Sequence, residues 1–286
     1  MQRTTHKTIW SIAACFFLAA CAALLFRTEL SPDGNVVHPQ DIAMAERDKQ
    51  VEKMEKLLET DWRIRRTPTR ATVESVSRYA QHPVLQNAET FFALGLVRMY
   101  KLSDVDGAEQ ALQKAIEMDP RWSWSHNLLG VVLYTRGDKE AGLRSLNRAM
   151  ELSPEWSRPH NDLAILYRQD GDWDKALEHA AEAIRIDPEH PIPYYNYGVI
   201  LYMMGEREEA QAQFQHVLEL NSDLPAPYYN IACGFAQSDD LERALEYLEI
   251  AIRLDPAFYE ETLYDPDFDD VRSDSDFVSF MDLHHP

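Results

Sequence analysis

The chain has 286 residues, 45% hydrophobic, 27% charged and with only 10 glycines, so it carries enough apolar material for a sizeable core, and pervasive disorder or a collagen-like fibre is excluded. Against 28 basic residues stand 48 acidic ones, a formal net charge of -20, which excludes a general electrostatic affinity for nucleic acid or anionic lipid headgroups. Three cysteines, two of them within one apolar stretch, make no disulfide framework.

The N-terminus reads as membrane-directed sequence. Arg3 and Lys7 precede an uncharged run of 18 residues from Ile9 to Phe26. In a helix that run spans about 27 Å, close to the roughly 30 Å of a hydrocarbon core. Basic residues before it and the mixed flank after it (Arg27, Glu29, Asp33) place the rest of the chain beyond the membrane, on the periplasmic or extracytoplasmic face if the cell is bacterial. Leu18-Ala19-Ala20-Cys21 resembles the bacterial lipoprotein signal, which implies lipidation at Cys21. The apolar residues Ala22 to Phe26 fit an uncleaved transmembrane anchor instead, and a removed secretory signal is the third reading. All three export the domain. Residues 1–26 are thus the signal or anchor, and 27–40, with Pro32, Gly34 and Asn35, a tether.

Residues 41–87 are expected to form an irregular helical hairpin. Ile42 to Thr60 is amphipathic, with Val51, Met54, Leu57 and Leu58 on one side and the Glu52/Lys56 pair on another, and a second helix is expected from Ala71 to Gln81. The basic cluster Arg63, Arg65, Arg66 and Arg70 beside Trp62 lies between them, in a solvated connection.

Beyond residue 87 a period organises the chain. Pro120, Pro154, Pro188 and Pro256 are spaced 34, 34 and 68 apart, with Ser222 at the missing node, which defines units at 123–156, 157–190, 191–224 and 225–258 and a less regular one at 88–122. The eighth position of the four regular units is small (Gly130, Ala164, Gly198, Ala232), as is the twentieth (Gly142, Ala176, Ala210, Ala244), so two helices approach closely there. Gly137, Gly171 and Gly205 sit where the first helix stops and a left-handed residue is wanted. Larger apolar residues four apart, such as Leu129 and Leu133 or Ile231 and Phe235, mark one face. Each unit is therefore a pair of antiparallel helices.

Length 34, the small residues at eight and twenty and the closing Asp187-Pro188 and Asp255-Pro256 resemble the tetratricopeptide repeat, over roughly 170 residues. The departures are His126 and His160 where aromatics are usual, Ser222 for proline, Asp239 for the turn glycine and one extra residue in the turn of 88–122. The resemblance implies an all-α, right-handed superhelical solenoid of antiparallel helix pairs. Such a solenoid needs its open end covered. Residues 259–286 supply an acidic C-terminal cap with Phe268, Val271, Phe277 and Phe280 as its apolar contacts.

The candidate site follows from the same resemblance, which implies that the first helices line a concave groove. Its lining positions correspond to Asn127, Asn161, Asp162, Tyr195, Asn196, Tyr229 and Asn230, extended by Arg168, Gln169, Tyr202 and Met203. A side-chain amide both donates and accepts, so Asn196 and Asn230, expected to face solvent, suit the backbone of an extended peptide. The same residues also suit bridging between neighbouring helices, and both readings stay open.

The remaining motifs carry less. Asp265, Asp267, Asp269, Asp274 and Asp276 imitate a calcium loop, but Asp270 and Asp276 stand where glycine and a bidentate glutamate are needed, so a solvated acidic cap is expected and no metal. His126 and His160 occupy equivalent repeat positions and read as packing residues; no pair of histidines at helical spacing joins a carboxylate. No phosphate loop, nucleophile elbow or dinucleotide fingerprint is present. The lysine pairs with which some relatives clamp a terminal carboxylate are absent from the groove positions.

The expected function is a membrane-tethered scaffold that binds a protein or peptide, without catalysis or cofactor. Assembly or biogenesis of an envelope complex is its expected role by analogy to the family. The alternative is a carbohydrate-binding or enzyme-accessory solenoid that uses Tyr195, Tyr229 and Trp124 as stacking platforms.

Overall fold

The computed structural model describes residues 87–284. Five helical hairpins follow one another: α1 (Ala88–Leu102) with α2 (Val105–Met118), α3 (Ser123–Arg136) with α4 (Lys139–Leu152), α5 (Arg158–Asp170) with α6 (Trp173–Ile186), α7 (Pro191–Met204) with α8 (Arg207–Leu220), and α9 (Pro225–Ala236) with α10 (Leu241–Leu254). After them come α11 (Ala257–Tyr264), a 3₁₀ turn over Pro266–Phe268 and α12 (Ser275–Leu283), and no strand occurs among the described residues. The anchor over 1–26 with Cys21, the tether, the arginine cluster and the hairpin expected over 41–87 lie outside the described residues. Among those that are described, no helix is long and apolar enough to cross a membrane.

The turns inside the hairpins show why glycine and an acid recur together. Gly137 is left-handed (φ 103°); its N–H donates to the Tyr134 carbonyl at 2.9 Å and the next N–H, of Asp138, reaches back to Leu133 at 3.0 Å, so the last carbonyls of α3 are satisfied. Gly171 and Gly205 repeat this (φ 75° and 87°). The acid then starts the second helix: the Asp138, Asp172 and Asp240 carboxylates accept from the N–H groups of Ala141, Lys175 and Arg243. Asp239 stands in the glycine's place and takes the same left-handed conformation, φ 61°. In the first hairpin the extra residue widens the last turn of α1, where the Asp104 N–H reaches back to the Arg98 carbonyl at 2.9 Å and Ser103 becomes the left-handed residue.

Within each hairpin the small positions are helix contacts. A methyl group built on Gly130 would lie 2.5 Å from Leu146 Cγ and 2.9 Å from the Gly142 carbonyl, and one on Gly198 would lie 2.8 Å from the Phe214 ring. Ala164, Ala176, Ala210, Ala232 and Ala244 have no exposed surface. Between hairpins, α1 touches α3, α3 touches α5 and α5 touches α7, so consecutive first helices share a face.

The C-terminal segment closes the last hairpin. Phe268, Val271, Phe277 and Met281 are buried in one apolar cluster with Tyr229, Ile231, Phe235 and Leu248, where a further repeat would otherwise pack. Arg272 ties the segment together by donating to the carbonyls of Thr262 and Asp265 at 3.1 and 2.8 Å and pairing with Asp269 at 2.8 Å. The expectation of a uniformly solvated acidic cap needs correction at Asp265 and Asp267. Both are half-buried and bonded to first-helix side chains, because the 3₁₀ turn that buries Phe268 carries them inward.

Candidate interaction face

The groove residues expected from the sequence fall on the first helices and bond one another from repeat to repeat. Asn127 on α3 donates to Asp162 on α5 (Nδ2 to Oδ2, 2.6 Å), Asn196 on α7 donates to Asn161 on α5 (Nδ2 to Oδ1, 2.7 Å), and Asn230 on α9 donates to the Tyr195 hydroxyl on α7 at 3.2 Å. Each pair is 35 residues apart, one more than the repeat, so position five of one unit meets position six of the next. Arg158 completes the first rung by pairing with Asp162 at 2.9 Å.

Burial divides these residues into two groups. Asn127, Asn161, Asp162 and Asn196 keep 5 to 8% of their surface, so their polar groups are spent mainly on one another. Asn196 therefore does not face solvent as expected: α5 and α7 pack closely enough to cover it. Tyr195, Asn230, Arg168 and Tyr202 are only partly buried. Among the described residues the Arg168 guanidinium has no carboxylate partner; there its Nε is buried without a hydrogen bond, and one terminal nitrogen lies 3.6 Å from Met203 Sδ. A cavity of about 170 Å³ opens nearby, lined among others by Tyr202, Phe214, Asn230, Gly234 and Gln237.

At the C-terminal end the chain's own acidic segment sits on this face. Tyr202 donates to Asp267 at 2.8 Å and Tyr229 donates to Asp265 at 2.7 Å, while Gln237 donates to the other oxygen of Asp267. Burial, reinforced by the neighbouring carboxylates, pushes both phenols far above their ordinary range, so they remain donors. Cys233 lies beside Asp265, Sγ to Oδ2 4.0 Å, and burial followed by the charge of Asp265 raises its thiol, which keeps it protonated and unreactive. These carboxylate partners were not read from the sequence, since the two pairs lie 36 and 65 residues apart and share no period.

Of the aromatic residues expected as sugar platforms, Tyr195 is half-buried and tilted against Phe214 at 5.8 Å, while the other two are covered. Trp124 packs on Trp156 at 4.4 Å between centroids and Tyr229 stacks on Phe258 at 4.6 Å, with Trp124 and Tyr229 only 7% and 4% exposed. Trp122 packs against Phe92 at 4.8 Å as part of the core. Among the described residues, only Cys233, Asp265 and Asp267 bring three potential metal ligands together.

Comparison with known proteins agrees with this architecture. Three profiles described as tetratricopeptide repeat match residues 93–155, 157–223 and 226–258, together more than half of the chain. No curated protein sequence matches. Among solved structures, yeast Tom70 superposes with a TM-score of 0.61 at 17% identity, over 78% of this chain and 48% of its own. Pseudomonas aeruginosa pilF gives 0.52 at 19% identity over 65% of this chain and 96% of its own, and TTC0263, described as a thermophilic tetratricopeptide protein of Thermus thermophilus, gives 0.51 at 21% over 68% and 98%. These similarities carry the fold, an architecture typical of protein–protein interaction and generally without catalysis. The 34-residue hairpins, the helix contacts at positions eight and twenty and the matching profiles together show that the chain belongs to the tetratricopeptide-repeat family.

Proposed function

We propose that this protein is a membrane-tethered scaffold whose first-helix face binds a protein or an extended peptide, in the service of assembling an envelope complex. The observation that carries the reading is the seating of Asp265 to Phe268 on α7 and α9: hydroxyl and amide donors of the face already hold a short non-repeat segment of the chain itself. A partner would use the neighbouring part of the face, around Arg168, Met203 and Asn230. There a guanidinium without a carboxylate partner among the described residues suits an acidic or carbonyl-rich segment. The apolar run Ile9 to Phe26 and Cys21 supply the tether in this reading.

The test is site-specific photocrosslinking in intact cells, with the crosslinker at Arg168 or Asn230 and, for comparison, at Glu219 or Glu246 on the second helices. The same discrete protein adduct from both groove positions and none from the second-helix positions is expected. The reverse pattern overturns the groove. Labelling with a radioactive fatty acid, abolished by Cys21→Ala, tests the lipid tether; a mature protein beginning at Met1 without lipid overturns it in favour of a spanning anchor.

A further inference from the structure

The third hairpin carries a feature that the binding face does not use. His160 on α5 and His179 on α6 turn their Nδ1 atoms toward each other at 3.0 Å, with ring centroids 5.2 Å apart. The two residues are 19 apart and on different helices, which is why no helical spacing reveals them. Tyr167, two turns along α5 from His160, lies parallel to the His179 ring at 5.5 Å and fixes its plane.

We propose that His160 and His179 form a binding site for a divalent transition-metal cation of the zinc, nickel or copper kind. Imidazole suits these ions, and two nitrogens each about 2.0 to 2.1 Å from a tetrahedral metal stand roughly 3.3 Å apart, so the rings need part by only a few tenths of an ångström. Two facing Nδ1 atoms also cannot both carry a proton. One lone pair already points into the gap, and the proton on the other nitrogen moves to the far Nε2 of its own ring, so the site binds the cation with no net loss of protons.

The surroundings favour a cation. Glu178 and Glu182 flank His179 on α6, and the field of both carboxylates reaches both imidazoles. Arg185 and Lys175 oppose them, but Arg185 is held by Glu182 at 2.7 Å and Lys175 by Asp172 at 2.5 Å. His126, at the equivalent place one repeat earlier, has no second histidine and binds the Pro120 carbonyl at 2.9 Å, so the site belongs to the third hairpin alone among the described repeats.

The experiment is isothermal titration of zinc chloride into the untagged full chain in detergent, compared with His160→Asn, His179→Asn, their double variant and His126→Ala. Each single change is expected to weaken one zinc site about tenfold or more, the double change to remove it, and His126→Ala to leave it intact. Equal stoichiometry and affinity in the wild type and the folded double variant overturn the proposal, as does a wild type that takes up no zinc. Should the variants fail to fold, histidine-labelled wild type decides by nitrogen resonance: zinc must shift both Nδ1 signals, and unshifted signals reject the site.

Discussion

Asn196 and Asn161 are hydrogen-bonded across a repeat boundary, Nδ2 to Oδ1 at 2.7 Å, and each keeps less than a tenth of its surface exposed. The amide on α7 thus serves first to hold α7 against α5. Asn196→Ala leaves the Asn161 oxygen buried without its donor, at a cost of about 1 to 3 kcal/mol. Asn230→Ala breaks only the longer, half-exposed bond to Tyr195 and costs about 1 kcal/mol or less. Urea unfolding of the two variants checks the order; equal stability would remove the structural role of Asn196.

Ala176 has no exposed surface where α6 meets α5. Ala176→Leu forces those helices apart and is expected to destabilise by about 1 to 3 kcal/mol. Thermal melting measures it, and an unchanged midpoint contradicts the assigned helix contact.

Asp239 holds φ 61° where three other hairpins use glycine. The cap of the helix that follows is supplied by Asp240, whose carboxylate accepts from the Arg243 N–H. Asp239→Gly relieves the left-handed strain and is expected to stabilise by up to about 1 kcal/mol, read as a rise of a few degrees in melting temperature. A fall would mean that the side chain contributes more than its conformation costs.

Tyr229→Phe keeps the ring on Phe258 and removes the donor to Asp265. The loss is expected to be about 1 to 2 kcal/mol, after discounting a bond to a charged group for the partial exposure of Asp265. Limited proteolysis should then cut the C-terminal segment sooner than in the wild type. An unchanged cleavage rate would assign its anchorage to Phe268 and Phe277 alone.

His160 and His179 have folded-state pKa values below the ordinary 6.5, chiefly from burial. The unfolded chain therefore binds protons more readily than the folded one. Their contribution to stability is complete above about pH 6.5, declines as pH falls through the folded values and then levels off. Replacing both with Asn should flatten the melting temperature between pH 7 and pH 5, measured in a metal-free buffer. Parallel curves for wild type and variant would show that other groups set the acid limit.

Much of this fold is legible in one dimension because the repeat is local. A hairpin of 34 residues closes within itself, so Gly130 opposite Gly142, Gly137 at a left-handed stop and Pro154 at an exit each announce a contact or a turn a few residues away. Asp239 declares itself by standing where a glycine is expected, and the backbone takes the same conformation regardless. What the sequence alone leaves open is how a polar side chain divides its hydrogen bonds between neighbours and solvent. Asn196 and Asn230 occupy the same repeat position, yet one is buried against Asn161 and the other remains half-exposed on Tyr195, since that depends on how closely successive first helices approach. Pairings between elements without a common period are decided only in three dimensions: the capture of Asp265 and Asp267 by Tyr229 and Tyr202, and the meeting of His160 with His179. There the partners are set by the burial of Phe268 and the packing of α5 on α6, and no spacing along the chain encodes that geometry.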